Sequence, residues 1–252
     1  MQALLLLPLF VVSMAGPPAE LGDSLAAAFD NAGAAGAYEI ALADAPDDFG
    51  LRCNHLRALI DAGEDAEGDA ARDWFVRARD EAERLLAQFP DSALSHHYDA
   101  VASGRYAQFA GGKEKVSYAE RVRGAAERAL EIDPSNEESW LTLGSYFYEV
   151  ATLNTALRFF AKALYGASLE GGLEDAEAAL ARALKLDPEH IYAHLILARV
   201  RWEQKDWEGC HALCERIGEL PLRDHLDPRN QKEAAELGEK AARKLKKQRK
   251  RR

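Results

Sequence analysis

Apolar side chains recur every three or four residues along most of this chain, between short breaks rich in proline, glycine, aspartate and serine. Near the C-terminus, one helical face would carry Ala234, Leu237, Ala241 and Leu245. This spacing is typical of amphipathic helices that bury one face, and it predicts an all-α protein. The predicted helices cover approximately residues 23–31, 36–43, 51–62, 70–88, 93–109, 116–132, 137–150, 152–165, 173–186, 191–204, 207–217 and 229–246.

Prolines divide this helical pattern into units of similar size. Each of them follows a predicted helix and stands beside an aspartate, a combination that ends one helix and prepares the next. The four are Pro46, Pro90, Pro134 and Pro188, and they lie 44, 44 and 54 residues apart. Such a separation indicates helical repeats stacked in an array.

The third unit shows the clearest apolar signature. Its first helix has the spacing of a tetratricopeptide (TPR) repeat, in which a glycine lets two helices approach closely. The matching residues are Trp140, Leu143, Gly144 and Phe147 in the first helix, with Ala176, Leu180, Ala183 and Pro188 further on. We therefore predict an all-α, TPR-like superhelical array of antiparallel helix pairs, with insertions and a C-terminal capping helix.

The units exceed the TPR length of about 34 residues, so each one must hold an insertion. The pattern predicts an acidic loop at residues 61–69 and a second loop at residues 111–115. Residues 150–172 are apolar and helical in character, and they form the longest insertion. The helix at 229–246 is expected to cap the array, because exposed ends of repeat arrays need a polar outer face.

The two ends of the chain have different patterns. Residues 1–15 contain an apolar run that ends in Ser13-Met14-Ala15, which predicts a cleaved signal peptide and a periplasmic or secreted protein. A buried helix or a misplaced start codon is the alternative. The TPR-like domain then covers residues 16–242. The basic tail, residues 243–252, is expected to extend the capping helix and to be disordered beyond about Lys246.

Charge is distributed unevenly between the tail and the rest of the chain. The formal net charge is −10, yet eight of the last ten residues are lysine or arginine. Such a tail suits a solvated segment, a nucleic-acid contact or peripheral contact with an anionic membrane. We expect no nucleic-acid partner, because the acidic body would repel phosphate groups.

The sequence contains no recognisable catalytic motif, such as a glycine-rich phosphate loop, G-x-S-x-G or H-E-x-x-H. Cys210 and Cys214 are four residues apart with His211 between them, so a metal pair is conceivable. Small apolar packing is the interpretation we adopt, since no second pair of such ligands lies nearby in the sequence. We predict a protein that is not an enzyme and has neither a metal nor a cofactor.

The centre of the chain resembles a known family. The segments that carry the resemblance include residues 112–116 (GKEKV), 126–134 (AERALEIDP), 143–154 (LGSYFYEVATLN), 159–166 (FFAKALYG) and 183–188 (ALKLDP). They are similar to the regulator of microtubule dynamics family, over about residues 90–245. The resemblance implies an all-α superhelical adaptor. Some members of that family are linked to microtubules, organelle contacts and phospholipid binding.

The first helix of each TPR repeat lines the concave groove of the array, so candidate binding residues lie on those helices. The candidates are Arg57, His97, Arg105, Ser145, Tyr148, Glu149, Arg199 and Trp202. Their arginines and aromatic rings suit a protein or peptide partner, including an anionic one, or else a carboxylate or a lipid headgroup. We expect a non-enzymatic scaffold that binds such a partner in an exported compartment. The alternative is that these residues form a solvated helix face.

The insertion at residues 150–172 suggests a second function, the binding of a lipid or another apolar ligand. One helical face of this segment would carry Leu153, Leu157, Phe160 and Leu164, with Phe159 and Tyr165 beside it. If that face covers the groove, it would enclose a hydrophobic chamber. If it packs on the preceding helix, it belongs to the core.

Overall fold

The computed structural model describes residues 17–153 and 169–249, and over these ranges it contains eleven helices and no strand. The helices are α1 (Pro18–Ala27), α2 (Asn31–Asp44), α3 (Phe49–Asp65), α4 (Gly68–Gln88), α5 (Ala93–Tyr106), α6 (Gly112–Ile132), α7 (Glu137–Thr152), α8 (Leu173–Leu186), α9 (Ile191–Glu203), α10 (Trp207–Glu219) and α11 (Asp227–Arg249). The prediction of an all-α array is confirmed.

The helices form pairs that stack one after another. The four repeats are α3–α4, α5–α6, α7–α8 and α9–α10, and the pair α1–α2 precedes them. The first helices of successive repeats contact each other in the order α3, α5, α7, α9, so they form one continuous inner row. Helix α11 packs against α9 and α10 at the end of this row, in the position of the predicted cap. None of the helices in the described ranges combines the length and apolar character needed to cross a membrane.

Every turn proline accepts a hydrogen bond from a side chain six residues later. The pairs are Arg52 Nε to Pro46 O (2.7 Å), His96 Nε2 to Pro90 O (2.8 Å), Trp140 Nε1 to Pro134 O (3.0 Å) and His194 Nε2 to Pro188 O (3.0 Å). Three residue types, arginine, histidine and tryptophan, therefore make the equivalent contact in the four repeats. The carbonyl groups of these turns cannot be satisfied within a helix, so the contact fixes how each first helix starts.

The predicted close approach of the two helices in the third repeat is present. A Cβ atom added to Gly144 would lie 2.7 Å from Cγ of Leu180, a fully buried residue of α8. Gly144 thus allows α7 and α8 to pack closely. The pairing of these two positions follows the TPR register predicted from the sequence.

Two predicted loops proved to be wrong. Helix α3 continues to Asp65 and α4 begins at Gly68, so most of the acidic stretch 61–69 is helical. The glycine taken as a loop signal, Gly63, lies where α3 meets α4, and an added Cβ would be 2.5 Å from the ring of Phe75. The prediction for residues 111–115 failed similarly, because α6 starts at Gly112.

The first two helices were placed incorrectly. Helix α1 begins at Pro18, where proline suits the first turn, and it ends at Ala27. Helix α2 begins at Asn31, because the Asp30 carboxylate accepts a hydrogen bond from the Gly33 amide at 3.0 Å. Glycine and alanine dominate this stretch, which hid the helix start in the apolar pattern.

The ends of the chain and the insertion are described only in part. Helix α11 continues to Arg249, so the basic tail is helical three residues beyond the predicted limit at Lys246. The predicted signal peptide, residues 1–15, lies outside the described residues, as do residues 250–252. Of the apolar face of the insertion, only Leu153 is described, so both alternatives for this face, covering the groove or packing on the preceding helix, stay predictions.

Candidate functional site

The predicted binding residues lie on the inner row of helices, and they separate into two groups. Helices α3 and α5 carry Arg57, His97 and Arg105. Helices α7 and α9 carry Ser145, Tyr148, Glu149, Arg199 and Trp202. The two groups differ in what their charged side chains contact.

The first group is organised around acidic residues of α3 that the sequence analysis assigned to a loop. Arg105 forms an ion pair with Glu64, and Arg57 Nε lies 3.7 Å from Asp61 Oδ2. The Arg57 side chain is 69% exposed, whereas that of Glu64 is only 11% exposed. Helix α3 thus presents an exposed arginine above partly buried carboxylates.

Burial changes the acidity of these carboxylates. It raises the pKa of Asp61 to about 7, although the positive charges of His225 and Arg57 act in the opposite direction. Burial also raises the pKa of Glu64, against the influence of Arg105 and His225. Desolvation penalises the charged form, so these groups gain from any positive charge placed beside them.

Two of the predicted residues are inaccessible. His97 is 8% exposed, its Nδ1 lies 3.3 Å from the Ser139 hydroxyl, and burial lowers its pKa. The Ser145 hydroxyl is buried and has no hydrogen-bond partner among the described residues. His97 therefore belongs to the contact between α5 and α7, and neither its ring nor the Ser145 hydroxyl can touch a partner in this conformation.

The second group adjoins the capping helix. Arg199 Nε lies 3.0 Å from Glu233 Oε1 on α11, and the Trp202 ring is 4.8 Å from the Trp207 ring between centroids. Tyr148 is half-buried, and burial raises the pKa of its hydroxyl. Only Glu149 is fully on the surface in this group. In this part of the inner row, Arg199 and Trp202 help to hold the cap in place.

The structure adds a segment that the sequence analysis missed, the crossing loop (residues 220–226) between α10 and α11. It spans the inner side of the array from the turn before α9 to the end of α3. Arg223 forms an ion pair with Asp187, and His225 Nε2 lies 3.5 Å from Asp65 Oδ1. The His225 ring also lies 6.2 Å from the ring of Phe29, between centroids.

The crossing loop carried little signal in the sequence. Its residues, LPLRDHL, look like an ordinary connection between two helices, and periodicity predicts nothing about a contact between residues 160 positions apart. The loop is shaped by α11: Asp227 accepts hydrogen bonds from the amides of Arg223 (2.7 Å) and Asp224 (2.8 Å). A histidine flanked by aspartate was the one hint of a charged contact.

Two further clusters concern metal binding. Possible ligand atoms of Glu137, Glu138 and His190 lie within 4.8 Å of one another. His190 Nδ1 caps α9 by accepting the amide of Ala193 at 3.4 Å, and its Nε2 lies 3.5 Å from Glu138 Oε1. This ion pair and cap account for the grouping without a metal. The cysteines Cys210 and Cys214 are buried in the apolar core between α10 and α11.

Helix α11 presents a strongly basic face beside the tryptophan pair. Lys240, Arg243, Lys244 and Lys247, about one helical turn apart, line a cavity of about 190 Å³ together with Trp202. Lys244 Nζ lies 5.6 Å from the centre of the Trp207 ring. Arg243 has one carboxylate nearby, that of Glu239 at 3.9 Å. We call these four cations the basic face.

A family assignment follows from comparison with known proteins. The sequence model of the regulator of microtubule dynamics protein 1–3 family matches residues 23–242. The chain belongs to this family. The resemblance predicted from the central segments is therefore confirmed, and the match extends well beyond them toward the N-terminus.

Individual relatives are distant. Mouse regulator of microtubule dynamics protein 3 is 26% identical over 133 residues, which are 52% of this chain and 28% of the relative. The bovine protein 1 is 28% identical over 116 residues, which are 46% of this chain and 37% of the relative. The chain thus spans only about a third of the length of the curated relatives it matches.

Among solved structures, a thermophilic TPR protein of Thermus thermophilus has the same fold. It aligns with a TM-score of 0.64 over 86% of this chain and 97% of its own, at 19% identity. The prediction of a TPR-like helical array is confirmed by this comparison. The likeness concerns the fold alone, so function must be argued from the residues of this chain.

Proposed function

We propose that this protein is a non-enzymatic scaffold that binds a protein or peptide partner on the inner row of helices. The observation that supports this most directly is the exposed Arg57, which stands over buried acids where α3, α5 and the crossing loop meet. The inner row also carries the aromatic residues Tyr148 and Trp202, and charged and aromatic groups together suit an extended peptide. The names of the relatives connect them with microtubule dynamics, and a cytoskeletal partner is one candidate.

The predicted anionic character of the partner receives less support from the ion pairs. Of the three arginines that suggested it, Arg105 pairs with Glu64 and Arg199 pairs with Glu233. An anion that bound either arginine would have to break an existing ion pair, and this cost would make binding weaker.

Site-specific photo-crosslinking tests the proposed surface. A photoreactive residue placed at Arg57 or Glu149, both exposed on the inner row, should crosslink to the partner in the native host. The same residue at Arg128 or Arg216, exposed on the second helices α6 and α10, should not. Crosslinks from α6 and α10 alone would show that the partner binds elsewhere.

We also propose export, on the basis of the apolar run and small residues in residues 1–15. N-terminal sequencing of the protein from its native host should find a mature chain that begins near Gly16. An intact Met1 on protein recovered from the cytosol would contradict export.

A second function, peripheral contact with an anionic membrane, is favoured by the basic face of α11. Its four cations lie on one side of the helix, and tryptophan beside lysine suits a membrane interface. Each lysine or arginine near such a surface contributes about 1 kcal/mol. Within the described residues, the only carboxylate that pairs with the basic face is that of Glu239, which lies 3.9 Å from Arg243.

Vesicle co-sedimentation tests this second function. The full chain should bind vesicles that contain anionic lipid, release them as salt increases, and ignore neutral vesicles. Replacement of Lys240, Lys244 and Lys247 by glutamine should weaken binding strongly, because it removes about 3 kcal/mol of attraction. As a matched control, the same replacement at Lys113, Lys115 and Lys185, which lie on α6 and α8, should leave binding unchanged. Equal losses from both triple variants would mean that overall charge, and not the basic face, governs attachment.

A further inference from the structure

The crossing loop occupies the inner surface as if it were a ligand. Its His225 side chain is only 8% exposed, although the neighbouring Leu222 is 54% exposed. The loop reaches α3 through polar groups, since Asp65 and Asp224 are the carboxylates nearest to the imidazole, at 3.5 and 3.3 Å. The loop is thus held both by the ion pairs of Arg223 and His225 and by the buried side chain of Leu220.

The site that receives His225 is acidic on several sides. Asp61, Glu64 and Asp65 of α3 surround it, and we call these three residues the acidic wall. Asp224 approaches from the loop itself. Arg57 acts on Asp61 and Asp224, and Arg105 forms an ion pair with Glu64. The hydrogen bond to Asp224 raises the pKa of His225 to about 9, so the imidazole is charged at neutral pH.

His225 fills this site incompletely. Its Nε2 is buried and makes no hydrogen bond within the described parts of the chain, although a carboxylate lies 3.5 Å away. Lysine and arginine carry a permanent charge and several N–H donors, and a guanidinium can bind a carboxylate through two parallel hydrogen bonds. A permanently charged side chain would therefore pair with the partly buried Asp61 and Glu64 and the exposed Asp65 more fully than His225 does.

We propose that the acidic wall binds an arginine or lysine side chain of a basic peptide segment in the partner, and that His225 takes this place when the partner is absent. The proposal rests on the function proposed above, because it specifies the partner chemistry for the same inner surface. The partner segment displaces the crossing loop, which then acts as a built-in competitor.

Fluorescence anisotropy with a defined probe tests the proposal on the full chain. The probe is a labelled peptide of arginines separated by serines, and its counterpart carries glutamines instead. His225→Ala should tighten binding of the arginine peptide by about tenfold, because the competitor is removed. His225→Gln, which keeps a polar side chain of similar size without the charge, should act in the same direction.

The matched acidic variants separate recognition from general attraction. Asp61→Asn with Glu64→Gln should weaken binding by about tenfold or more, as expected for the loss of a buried charge pair. Glu208→Gln with Glu236→Gln makes the same charge change at exposed positions of α10 and α11, and it should leave the affinity within about twofold. Equal weakening by the two double variants would overturn the proposal.

A measurement on the unaltered chain guards against variants that fold poorly. Saturating arginine peptide should accelerate amide hydrogen exchange in residues 220–226, and the glutamine peptide should not. Unchanged exchange in the crossing loop, despite bound arginine peptide, would show that the loop is not displaced and would overturn the proposal. Crosslinks from the inner row without any affinity for the arginine peptide would leave the scaffold function standing and remove only this partner chemistry.

Discussion

The first and third repeats share one backbone plan, but different interactions hold them together. The residue six positions after the turn proline is Arg52 in the first repeat and Trp140 in the third, and both donate to the proline carbonyl. Arg52 is buried and pairs with Glu81, whose side chain is 4% exposed. Trp140 instead lies half-buried between two apolar clusters.

The difference shows what the repeat requires and what it leaves free. Both repeats need a donor for the turn carbonyl and a glycine where their two helices meet, Gly63 in the first and Gly144 in the third. The remaining chemistry is free to differ. Charged groups accumulate in the first repeat, where the acidic wall lies, and the burial of Asp61 and Glu64 should make its stability sensitive to pH.

The largest expected effect comes from breaking the buried ion pair of the first repeat. Arg52→Met leaves Glu81 buried with only Arg84, whose side chain is 66% exposed, to balance its charge. The free energy of unfolding should fall by about 3–5 kcal/mol, measured by urea denaturation. Adding Glu81→Met should recover the part of this loss that comes from the unpaired charge, because two packed methionines need no counter-charge, while the hydrogen bond from Arg52 to Pro46 stays lost. A double variant as unstable as the single one would show that the pair matters through its shape.

The pH dependence of the first repeat should follow Asp61. Its pKa is about 7 in the folded protein and near the ordinary 3.8 when unfolded. Between these values the folded state holds a proton that the unfolded state has lost, so stability should fall as pH rises from about 4 to 7 and then level off. Asp61→Asn should therefore raise the free energy of unfolding relative to the unaltered chain, and this increase should be about 2–3 kcal/mol larger at pH 8 than at pH 5.

A control position shows whether this pH dependence belongs to burial. Asp91→Asn makes the same chemical change at an exposed turn residue and serves as the matched control for the loss of a buried carboxylate. A pH-independent effect of Asp61→Asn would mean that the carboxylate is well solvated.

In the third repeat, Trp140 combines packing with the turn hydrogen bond. Trp140→Ala removes both, and we expect a loss of about 2 kcal/mol, below the range for a fully buried aromatic because the ring is half-buried. Trp140→His introduces the residue type found at the equivalent position of the second and fourth repeats, His96 and His194. This variant should keep the turn hydrogen bond and be about 1 kcal/mol more stable than the alanine variant. Thermal unfolding of both variants measures the difference.

The sequence predicted the repeats well because their signals are local. The prolines, the apolar spacing and the tryptophan-to-glycine register all lie within one unit, so periodicity detects them. The prediction of an acidic loop at 61–69 was wrong for a physical reason. A glycine such as Gly63 indicates the end of a helix when it is considered alone, whereas here it permits close contact with Phe75. Local composition cannot tell these two uses of glycine apart.

The candidate site was less predictable than the fold. The inner row was correct in principle, yet accessibility depends on neighbours that are distant in sequence. His97 is covered by its contact with α7, and Arg105 and Arg199 are engaged by acids on other helices. The contact between His225 and Asp65 depends on how four repeats curve, and that property is absent from the pattern of any single repeat.

The smallest expected effect compares two glycines that differ only in what surrounds them. Alanine is favoured over glycine in a helix by about 0.5–1 kcal/mol. Gly124 of α6 has open space around an added Cβ, so Gly124→Ala should stabilise the protein by that amount. At Gly144 the added Cβ would lie 2.7 Å from Leu180 Cγ, in a fully buried seam that cannot yield freely. The overpacking should cost about 1–3 kcal/mol, so Gly144→Ala should destabilise by about 1 kcal/mol after the helical gain. Urea denaturation of both variants gives the packing energy as their difference. A Gly144→Ala variant as stable as Gly124→Ala would mean that the α7–α8 seam is loose, and that the third repeat is not held by close apolar packing after all.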